Sequence, residues 1–311
     1  MIENCDKCHT SLAPTSSEWW NKCLDCGSFY FLYDPMPHQL KYHNDPARFK
    51  FFAGGYGSSK TTTVAAEFVT LALKTPNGRG LVGAATYPQL EQTSKKQVLE
   101  MIPEEFILKK LNQKDNVMTL INGYEIMFRS FDDQQKLRSL NLCHVIMEEA
   151  NGTDFSIFTQ LQTRLRHHAT KDHKILISSN PDMNWVRTEL LLKSQYVYGS
   201  LERITRKPED INPNISTHIS RTEQNTHLPE GYIDSLRHGK PDWWIARFLD
   251  GSFNFSEGAV YPNFQSCITD DITLDEIKNN VRTKGWHVIG GSDKTNVRVK
   301  LIELLETPNA V

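Results

Sequence analysis

The 311-residue sequence lacks the hallmarks of a membrane or exported protein. No uninterrupted apolar run approaches the roughly 18 residues that a membrane span requires. The N-terminus, Met1-Ile2-Glu3-Asn4-Cys5, has neither a basic n-region nor the apolar h-region of a signal peptide. Hydrophobic residues make up 39% and charged residues 23% of the chain, as is ordinary for a globular protein. We therefore expect a cytoplasmic protein without a membrane partner.

The sequence also lacks an excess of charge of either sign. It contains 35 Lys and Arg residues against 37 Asp and Glu residues, for a net charge of -2. A protein that binds nucleic acid over its whole surface is usually basic. Any contact with nucleic acid must therefore come from a local patch or from several subunits together. We interpret the densest basic run, 164–171, as a solvated helix end rather than a contact with DNA phosphate.

Cysteine is scarce except near the N-terminus, where four of the six cysteines fall within 26 residues. Cys5-x-x-Cys8 and Cys23-x-x-Cys26 are separated by 14 residues. In a reducing compartment, such paired motifs indicate a zinc site rather than disulfides. A redox motif is disfavoured because no βαβ unit surrounds either pair. Four thiolates leave no open position on Zn²⁺, so we predict a structural ion.

A glycine-rich loop stands between an apolar segment, 48–53, and a segment with helical periodicity, 61–74. It reads Gly54-Gly55-Tyr56-Gly57-Ser58-Ser59-Lys60-Thr61. Small residues let backbone N–H groups converge on phosphate at a helix N-terminus. Lys60 is then placed to reach the β- and γ-phosphates, and the Thr61 hydroxyl to ligate Mg²⁺. A glycine turn with an incidental lysine is the alternative.

Ser59 departs from the common phosphate-loop pattern, which has a glycine directly before the lysine. Serine is small enough for that place if its dihedral angles are unstrained. We therefore treat the loop as functional.

Two later apolar segments end in polar residues. The segment 142–147 runs into Glu148-Glu149, and 174–177 runs into Ser178-Ser179-Asn180-Pro181. The first acid is predicted to hold Mg²⁺ through water, and the second to orient and deprotonate the attacking water. Ser178, Ser179 and Asn180 are expected beside the nucleotide, outside the carboxyl ends of the strands. Taken alone, surface acids and a turn stopped by proline explain these motifs equally well.

Alternation of apolar strands and helices predicts an α/β fold, a P-loop NTPase of the RecA-like kind. Its sheet is expected to be mostly parallel, with helices on both faces, and a small zinc ribbon precedes it. We predict a zinc-ribbon module over 1–33, the ATPase core over 34–205 and a linker or lid over 206–284. A final piece covers 285–311. Asn122-Gly123 predicts a hairpin turn within the core.

The order of these motifs resembles the ATPase domain of tailed-bacteriophage large terminase subunits, the motors that package viral DNA into procapsids. The resemblance rests on the glycine loop, on Val145-Ile146-Met147-Glu148-Glu149-Ala150 and on Ser178-Ser179-Asn180-Pro181. It extends to Gln39 and to the segments 225–233, 247–253 and 258–264. It therefore covers about 35–265, most of the chain, and the combination is more specific than any single motif.

The resemblance implies ATP as the nucleotide and a role for each matching position. Gln39 would hydrogen-bond the adenine, and Gly54 to Thr61 would bind the phosphates. Glu148 would assist Mg²⁺, Glu149 would be the catalytic carboxylate, and Ser178 to Asn180 would form the coupling motif. Tyr56 stands where many terminases have an arginine, so no arginine sensor is expected within the loop.

Arg138 lies just before the apolar segment 142–147, in the region from which such motors offer an arginine to a neighbouring subunit. A solvated basic residue explains Arg138 equally well. The resemblance implies double-stranded DNA, a terminase small subunit and the portal protein as partners, and a homo-oligomeric ring as the active form. Its site of action would be the procapsid portal in the host cytoplasm.

Val288-Ile289-Gly290-Gly291-Ser292-Asp293 resembles the first strand and first metal aspartate of the RNase H-like nuclease found in many terminases. Such a nuclease needs several acids around two metal ions. One vestigial aspartate, Asp293, does not meet that need, so we expect a truncated nuclease domain that does not cleave DNA.

Two other functions remain open. A helicase-like remodelling ATPase would carry further arginine-rich motifs in a second RecA-like domain, and none follows residue 205. A zinc-ribbon adaptor that binds DNA or protein would need no hydrolysis, and its ATPase domain would be inert.

Overall fold

The computed structural model describes residues 4–254, except Gln113 and Asp133 and the side chains of Gln134 and Lys136, together with the backbone of two later strands. The chain divides into two compact units, Met1–Phe255 and Ser256–Val311. Asp293, the predicted vestigial nuclease residue, lies outside the described residues.

The N-terminal module is a three-stranded antiparallel sheet of β1 (Leu12–Pro14), β2 (Trp20–Cys23) and β3 (Phe29–Phe31). Trp20 stacks on Phe31 at 4.6 Å between ring centroids and meets Phe106 edge-on at 5.0 Å. Its indole N–H donates a 2.8 Å hydrogen bond to the carbonyl of Met101. These aromatic contacts bury the module against the rest of the first unit, so it is an integral part of that unit.

The remaining elements of the first unit alternate between strands and helices. They are α1 (Pro37–His43), β4 (Phe49–Gly54), α2 (Lys60–Lys74), β5 (Arg79–Ala84), α3 (Tyr87–Gln92), α4 (Ser94–Met101), β6 (Ile107–Asn112), β7 (Val117–Leu120), β8 (Glu125–Ser130), β9 (His144–Glu148), α5 (Phe155–Arg164), β10 (Lys174–Ser179), a π-helical segment (Val186–Leu191), β11 (Ser194–Tyr198), β12 (Asn212–Ser220), α6 (Tyr232–Arg237) and α7 (Asp242–Phe248). Short 3-10 turns occupy Glu104–Phe106, Gln134–Leu137, Ala150–Gly152, Pro208–Asp210 and Thr222–Gln224.

The central sheet has nine strands in the order β11-β12-β4-β10-β9-β5-β8-β7-β6. The seven strands from β11 to β8 are parallel, whereas β7 and β6 are antiparallel. Every residue of β4, β9 and β10 is buried, as the continuous apolar runs predict for a sheet covered on both faces. The predicted mostly parallel α/β fold is confirmed.

The register of the central strands sets their carboxyl ends side by side. Ser179 of β10 pairs with Ala53 of β4, and Met147 of β9 pairs with Ile177 of β10. The segments that follow these three strands therefore leave the sheet at one edge, close to each other. Ligands of open α/β folds bind in the crevice at such an edge.

The predicted boundary between core and linker at 205/206 falls inside the sheet. The segment 212–220 forms β12, which pairs with β4 from Ile215–Phe49 to Ser220–Gly54. Sequence reasoning missed this strand because several of its buried side chains are polar, including Ser216, Thr217 and His218. A buried strand of that kind has no apolar run by which to recognise it.

Two local features of the core follow from particular residues. The segment 87–101 forms two helices, α3 and α4, with a break at Thr93, where φ is -117° and ψ is -107°. The hairpin at Asn122-Gly123 is confirmed: Gly123 has a φ of +80° and donates to the carbonyl of Leu120. The Asn122 side chain also donates to carbonyls at the C-terminus of α2, which ties the hairpin to that helix.

The second unit contributes two described strands, β13 (Val288–Gly291) and β14 (Lys300–Glu303), which pair antiparallel. A strand was predicted near the first of them. In the described part of the chain, no helix has both the length and the apolar composition that crossing a bilayer requires.

Candidate functional site

The glycine loop joins β4 to α2, with Lys60 as the first residue of the helix. Gly57 has a φ of +66°, in the left-handed region that favours glycine. Gly55 is required for another reason, since a Cβ there would lie 2.5 Å from the carbonyl oxygen of Phe248. A larger residue would therefore clash with the backbone at Gly55 and would be strained at Gly57.

Ser59 adopts a left-handed conformation, with φ of 64° and ψ of 22°. The condition on which serine suits this place, unstrained dihedral angles, is not met, because a side chain in this region crowds the backbone at a cost of about 1–2 kcal/mol. The conformation directs the chain from the loop into α2.

Lys60 is buried, with 8% of its surface exposed. Its ammonium group donates to the carbonyl of Gly55 at 2.8 Å and to the side-chain oxygen of Asn180 at 3.1 Å. Burial lowers the pKa of Lys60, and the negative charges of Glu149 and Glu148 oppose that shift. Both acceptors are neutral, so an anionic oxygen arriving at the loop would be a stronger partner for the ammonium group.

Glu148 is 1% exposed and lies where α2 and β10 converge on the end of β9. One carboxylate oxygen accepts from the Thr61 hydroxyl at 2.7 Å, and the other from the Ser178 hydroxyl at 2.5 Å. Burial raises the pKa of Glu148, while these two hydrogen bonds oppose the rise. A carboxylate and two hydroxyl oxygens are hard donors of the type that Mg²⁺ prefers, so this set fits the predicted metal.

Glu149 has a left-handed backbone, with φ of 47° and ψ of 52°, and precedes the turn Ala150–Gly152. Such a conformation in a residue other than glycine costs of order 1–3 kcal/mol and is commonest at functional sites. The charge of Glu149 raises the pKa of Tyr56 and opposes the lowering of the pKa of Lys60, so its carboxylate lies near both side chains of the loop.

The three residues of the predicted coupling motif contact three different parts of the site. Ser178 binds Glu148, and Asn180 binds Lys60. Ser179 donates to the side chain of Asn151 at 2.8 Å and accepts from its backbone N–H at 3.2 Å. The structure therefore brings together the residues predicted from the loop and from both strand ends.

Gln39 lies buried between α1 and α2, with 2% of its surface exposed. Its side-chain oxygen accepts from the N–H of Met36, and its amide donates to the hydroxyl of Thr63, both at 2.8 Å. The side chain therefore braces α1 against α2, and its contact with adenine stays a prediction.

A cavity of about 310 Å³ lies between α1 and the ends of β11 and β12, with Phe52 of β4 also in its lining. Its lining includes His38, Lys41, Tyr198, His218 and Gln224. The Nε2 atom of His38 is buried and has no hydrogen-bond partner among the described residues. Burial lowers the pKa of His38, which favours the neutral ring. No sequence motif marks these residues apart from their proximity to Gln39.

Arg138 is exposed on the segment that connects β8 to β9. Its carbonyl oxygen accepts from the guanidinium of Arg164 at 2.6 Å, so the basic run at 164–171 begins beside it. Exposure suits both a solvated arginine and one offered to another subunit.

The segment after β12 packs against the glycine loop and hydrogen-bonds to it, a feature that the motifs did not predict. The N–H of Tyr56 donates to the carbonyl of Phe248 at 2.6 Å, and the two rings stack at 4.8 Å with an interplanar angle of 3°. Thr222 donates to the carbonyl of Tyr56, and Asn225 to that of Gly57. Resemblance in the segments 225–233 and 247–253 was the only signal for these contacts.

The four N-terminal cysteines form one cluster, with all four sulfur atoms within 4.8 Å of one another. The sulfurs of Cys5 and Cys26 are 3.5 Å apart, and those of Cys8 and Cys23 are 3.2 Å apart. Tetrahedral coordination with Zn–S bonds of about 2.3 Å separates sulfurs by roughly 3.8 Å, close to these values.

The two cysteine turns are built alike. In the first, the N–H of His9 donates to the carbonyl of Cys5, and in the second that of Gly27 donates to Cys23, both at 3.0 Å. His9 and Gly27 both have left-handed backbones, with φ of 59° and 70°. Each turn therefore presents its two sulfurs in the same way, and the donor set fits Zn²⁺.

Comparison with known proteins gives one family. The family model described as the phage terminase large subunit matches residues 46–243. The PBSX phage terminase large subunit of Bacillus subtilis (strain 168) is 29% identical over 249 residues, which cover 76% of this chain and 56% of that protein. The chain thus spans little more than half the length of this curated relative.

Solved structures share the fold. The large terminase of the thermophilic bacteriophage D6E matches with a TM-score of 0.59 and 17% identity, covering 78% of this chain and 58% of that one. Its complex with ADP matches at 0.56 and 16%, covering 70% and 53%. The large terminase ATPase domain of Thermus phage P74-26 matches at 0.51 and 21%, covering 71% of this chain and 94% of that domain.

The left-handed Ser59 allows a test of the loop. We expect Ser59→Gly to raise the free energy of unfolding by up to about 1 kcal/mol, because glycine adopts this conformation without steric cost. The matched change Gly57→Ser should lower it by about 1–2 kcal/mol, since it places a side chain at a φ of +66°. Urea denaturation measures both, and a clear loss of stability in Ser59→Gly would contradict the expectation.

Proposed function

Because this chain belongs to the phage terminase large subunit family, we propose that it hydrolyses ATP and couples hydrolysis to the movement of double-stranded DNA into a procapsid. One observation carries the proposal: two hydrogen-bonded groups lie at the ends of three adjacent strands, Lys60 with Asn180, and Glu148 with Thr61 and Ser178. The D6E large terminase, which shares the fold, has been solved with ADP.

In the proposed reaction, the loop from Gly54 to Ser59 binds the phosphates through its N–H groups, and Lys60 contacts the β- and γ-phosphates. Thr61 and Glu148 would hold Mg²⁺, which neutralises charge on the phosphates. Glu149 accepts a proton from the attacking water, and its fixed left-handed backbone limits the directions in which the carboxylate can point.

The proposed signal of nucleotide occupancy is a change of partner at Lys60. A phosphate oxygen competes with the Asn180 side chain for the ammonium group, and a charged acceptor makes the stronger hydrogen bond. Asn180 is thereby released when the triphosphate binds and recovered when phosphate leaves. This exchange would give Ser178, Ser179 and Asn180 their coupling role.

We assign the base of ATP to the cavity beside α1. The cavity is lined by His38, next to Gln39, and by Phe52 of β4, the strand that leads into the loop, and the unpartnered Nε2 of His38 offers the base a buried hydrogen-bonding atom. Gln39 would act there by holding α1 against α2, and by contacting adenine if its amide turns toward the cavity.

The active form would be a homo-oligomeric ring at the procapsid portal in the host cytoplasm, with the small subunit and portal protein as partners. Arg138, whose side chain is exposed, would be the arginine offered to the site of a neighbouring subunit. The zinc-binding cysteines would stabilise the N-terminal module, with Zn²⁺ in a structural role.

Hydrolysis should depend on Lys60 and Glu149. We expect Lys60→Ala and Glu149→Gln each to reduce ATP turnover by about 100-fold or more, with ATP binding retained in Glu149→Gln. Phosphate release is measured with DNA, portal and small subunit present, and Glu209→Gln, an exposed acid in a surface turn, is the control.

Undiminished turnover in both variants would overturn the proposal. Failure of Glu149→Gln to bind ATP in calorimetry would instead favour an adaptor with an inert ATPase domain.

The base assignment predicts a selective loss. We expect His38→Ala to weaken ATP binding by about ten-fold, because a buried hydrogen bond to the base is lost, while binding of inorganic tripolyphosphate changes less than about two-fold. Calorimetry gives both affinities, with His168→Ala as a control at an exposed histidine. Equal weakening of both ligands would show that His38 acts on the phosphate loop instead.

The zinc assignment predicts one bound ion per chain. We expect Cys23→Ser to lose it, because three thiolates and a hydroxyl hold Zn²⁺ less tightly than four thiolates. Elemental analysis of the purified protein measures the metal, and Cys143→Ala, outside the cluster, should keep it. Cys23→Ser should also unfold at a lower temperature than the wild type, because metal binding is coupled to folding. Wild-type protein without zinc after purification in a zinc-containing medium would contradict the assignment.

A further inference from the structure

An ion pair joins α7 to the segment that follows β10. The guanidinium of Arg247 lies 3.1 Å from a carboxylate oxygen of Asp182, and the two side chains are only 13% and 29% exposed. The Nε atom of Arg247 also donates to the carbonyl of Pro181 at 2.9 Å. Pro181 directly follows Asn180, the partner of Lys60. The ion pair thus acts on the residues next to the proposed γ-phosphate contact.

The same carboxylate oxygen of Asp182 has a second partner. It accepts a 3.2 Å hydrogen bond from the side-chain amide of Asn151. Asn151 lies in the turn that begins directly after Glu149, and its carbonyl accepts from Asn184 at 2.8 Å. Asp182 therefore fixes the turn whose backbone sets the direction of the Glu149 carboxylate.

The residue after Arg247 contacts the phosphate loop. The carbonyl of Phe248 accepts from the N–H of Tyr56, and the two rings stack in parallel. Arg247 and Phe248, consecutive residues of α7, thus bind two different parts of the site. Arg247 binds the segment after β10, which holds the Glu149 turn, and Phe248 binds the glycine loop. We call these two parts the walls of the site. A shift of either wall must move α7 or break one of these contacts.

Stability alone does not account for this arrangement. Partly exposed ion pairs contribute at most about 1 kcal/mol, so the pair adds little to the total. A displacement of about 1 Å in a positioned catalytic group, in contrast, can lower a rate by about 100-fold. The Arg247–Asp182 ion pair therefore has a larger effect on the positions of Asn180 and the Glu149 turn than on the stability of the fold.

We propose that Asp182 and Arg247 are positioning residues. They connect α7 to the Asn180 segment and to the Glu149 turn, so that the positions of both depend on the position of this one helix. The inference rests on the proposed hydrolysis of ATP at this site. When the triphosphate displaces Asn180 from Lys60, the ion pair carries the movement to α7. Conversely, the position of α7 determines where the Glu149 carboxylate lies relative to the attacking water.

The test is a double-mutant cycle with Asp182→Asn and Arg247→Gln. Each change should lower kcat by about ten-fold and leave the affinity for ATP within about two-fold, because the altered contact acts on the catalytic turn and not on the bound nucleotide. The losses should be clearly less than additive in the double variant, since both changes break the shared ion pair, although each also alters one further contact, that of Arg247 with Pro181 or that of Asp182 with Asn151. Arg247→Lys, which keeps the charge but not the two-pronged contact, should recover part of the rate.

Arg237→Gln is the matched control, because Arg237 pairs with Asp250 at 3.9 Å in the same region and touches neither wall. Its kcat should match that of the wild type. Additive losses in the cycle, or a loss of ATP affinity equal to the loss of rate, would overturn the inference.

A second measurement does not depend on hydrolysis. Hydrogen exchange of the protein without nucleotide should show faster exchange in Arg247→Gln over both 54–58 and 149–152. Faster exchange limited to 242–248 would sink the inference even if the wild type hydrolyses ATP. Faster exchange at both walls in a protein that proves to be inactive would retain the coupling and remove only the proposed function.

Discussion

The geometry of the site depends on satisfying one buried carboxylate. Glu148 is removed from water at the end of β9, and a carboxylate in that position is costly unless its oxygens are hydrogen-bonded. Thr61 supplies one hydroxyl from α2 and Ser178 supplies the other from β10. The requirement therefore holds a helix and two strands in one arrangement. Lys60 and Glu149, each adjacent to a member of this cluster, have their positions set by it.

Much of this arrangement follows from the sequence. Continuous apolar runs predict buried parallel strands, and parallel strands end at a common edge. Polar residues directly after such runs must therefore lie together, which places the glycine loop, Glu148 and Ser178 in one site. The prediction of a common site depends on the order of apolar runs and the polar residues that follow them, and not on any one motif.

The remainder depends on contacts between residues distant in the chain. The hydrogen bond between Gln39 and Thr63 leaves no mark on the sequence, so its bracing of α1 against α2 could not be predicted. β12 was missed since four of its six buried side chains are hydroxyls or a histidine, with partners such as Ser194 for Thr217 and Asp45 for His218. The stack of Tyr56 on Phe248 joins positions that no local pattern relates. Periodicity reports which face of an element is buried, but it does not report the partner.

Backbone strain at Ser59 and Glu149 shows why distant contacts matter to the chemistry. Both residues hold left-handed conformations that cost of order 1–3 kcal/mol, and such conformations persist only where the surroundings over-determine them. The carbonyl of Ser59 is bound by the N–H and hydroxyl of Thr63 in α2. The turn after Glu149 is bound through Asn151 by Asp182 and Ser179. The backbone of Glu149, the proposed catalytic residue, is thus held by residues distant in the chain, so a rearrangement at Asn180 reaches it within a few bonds.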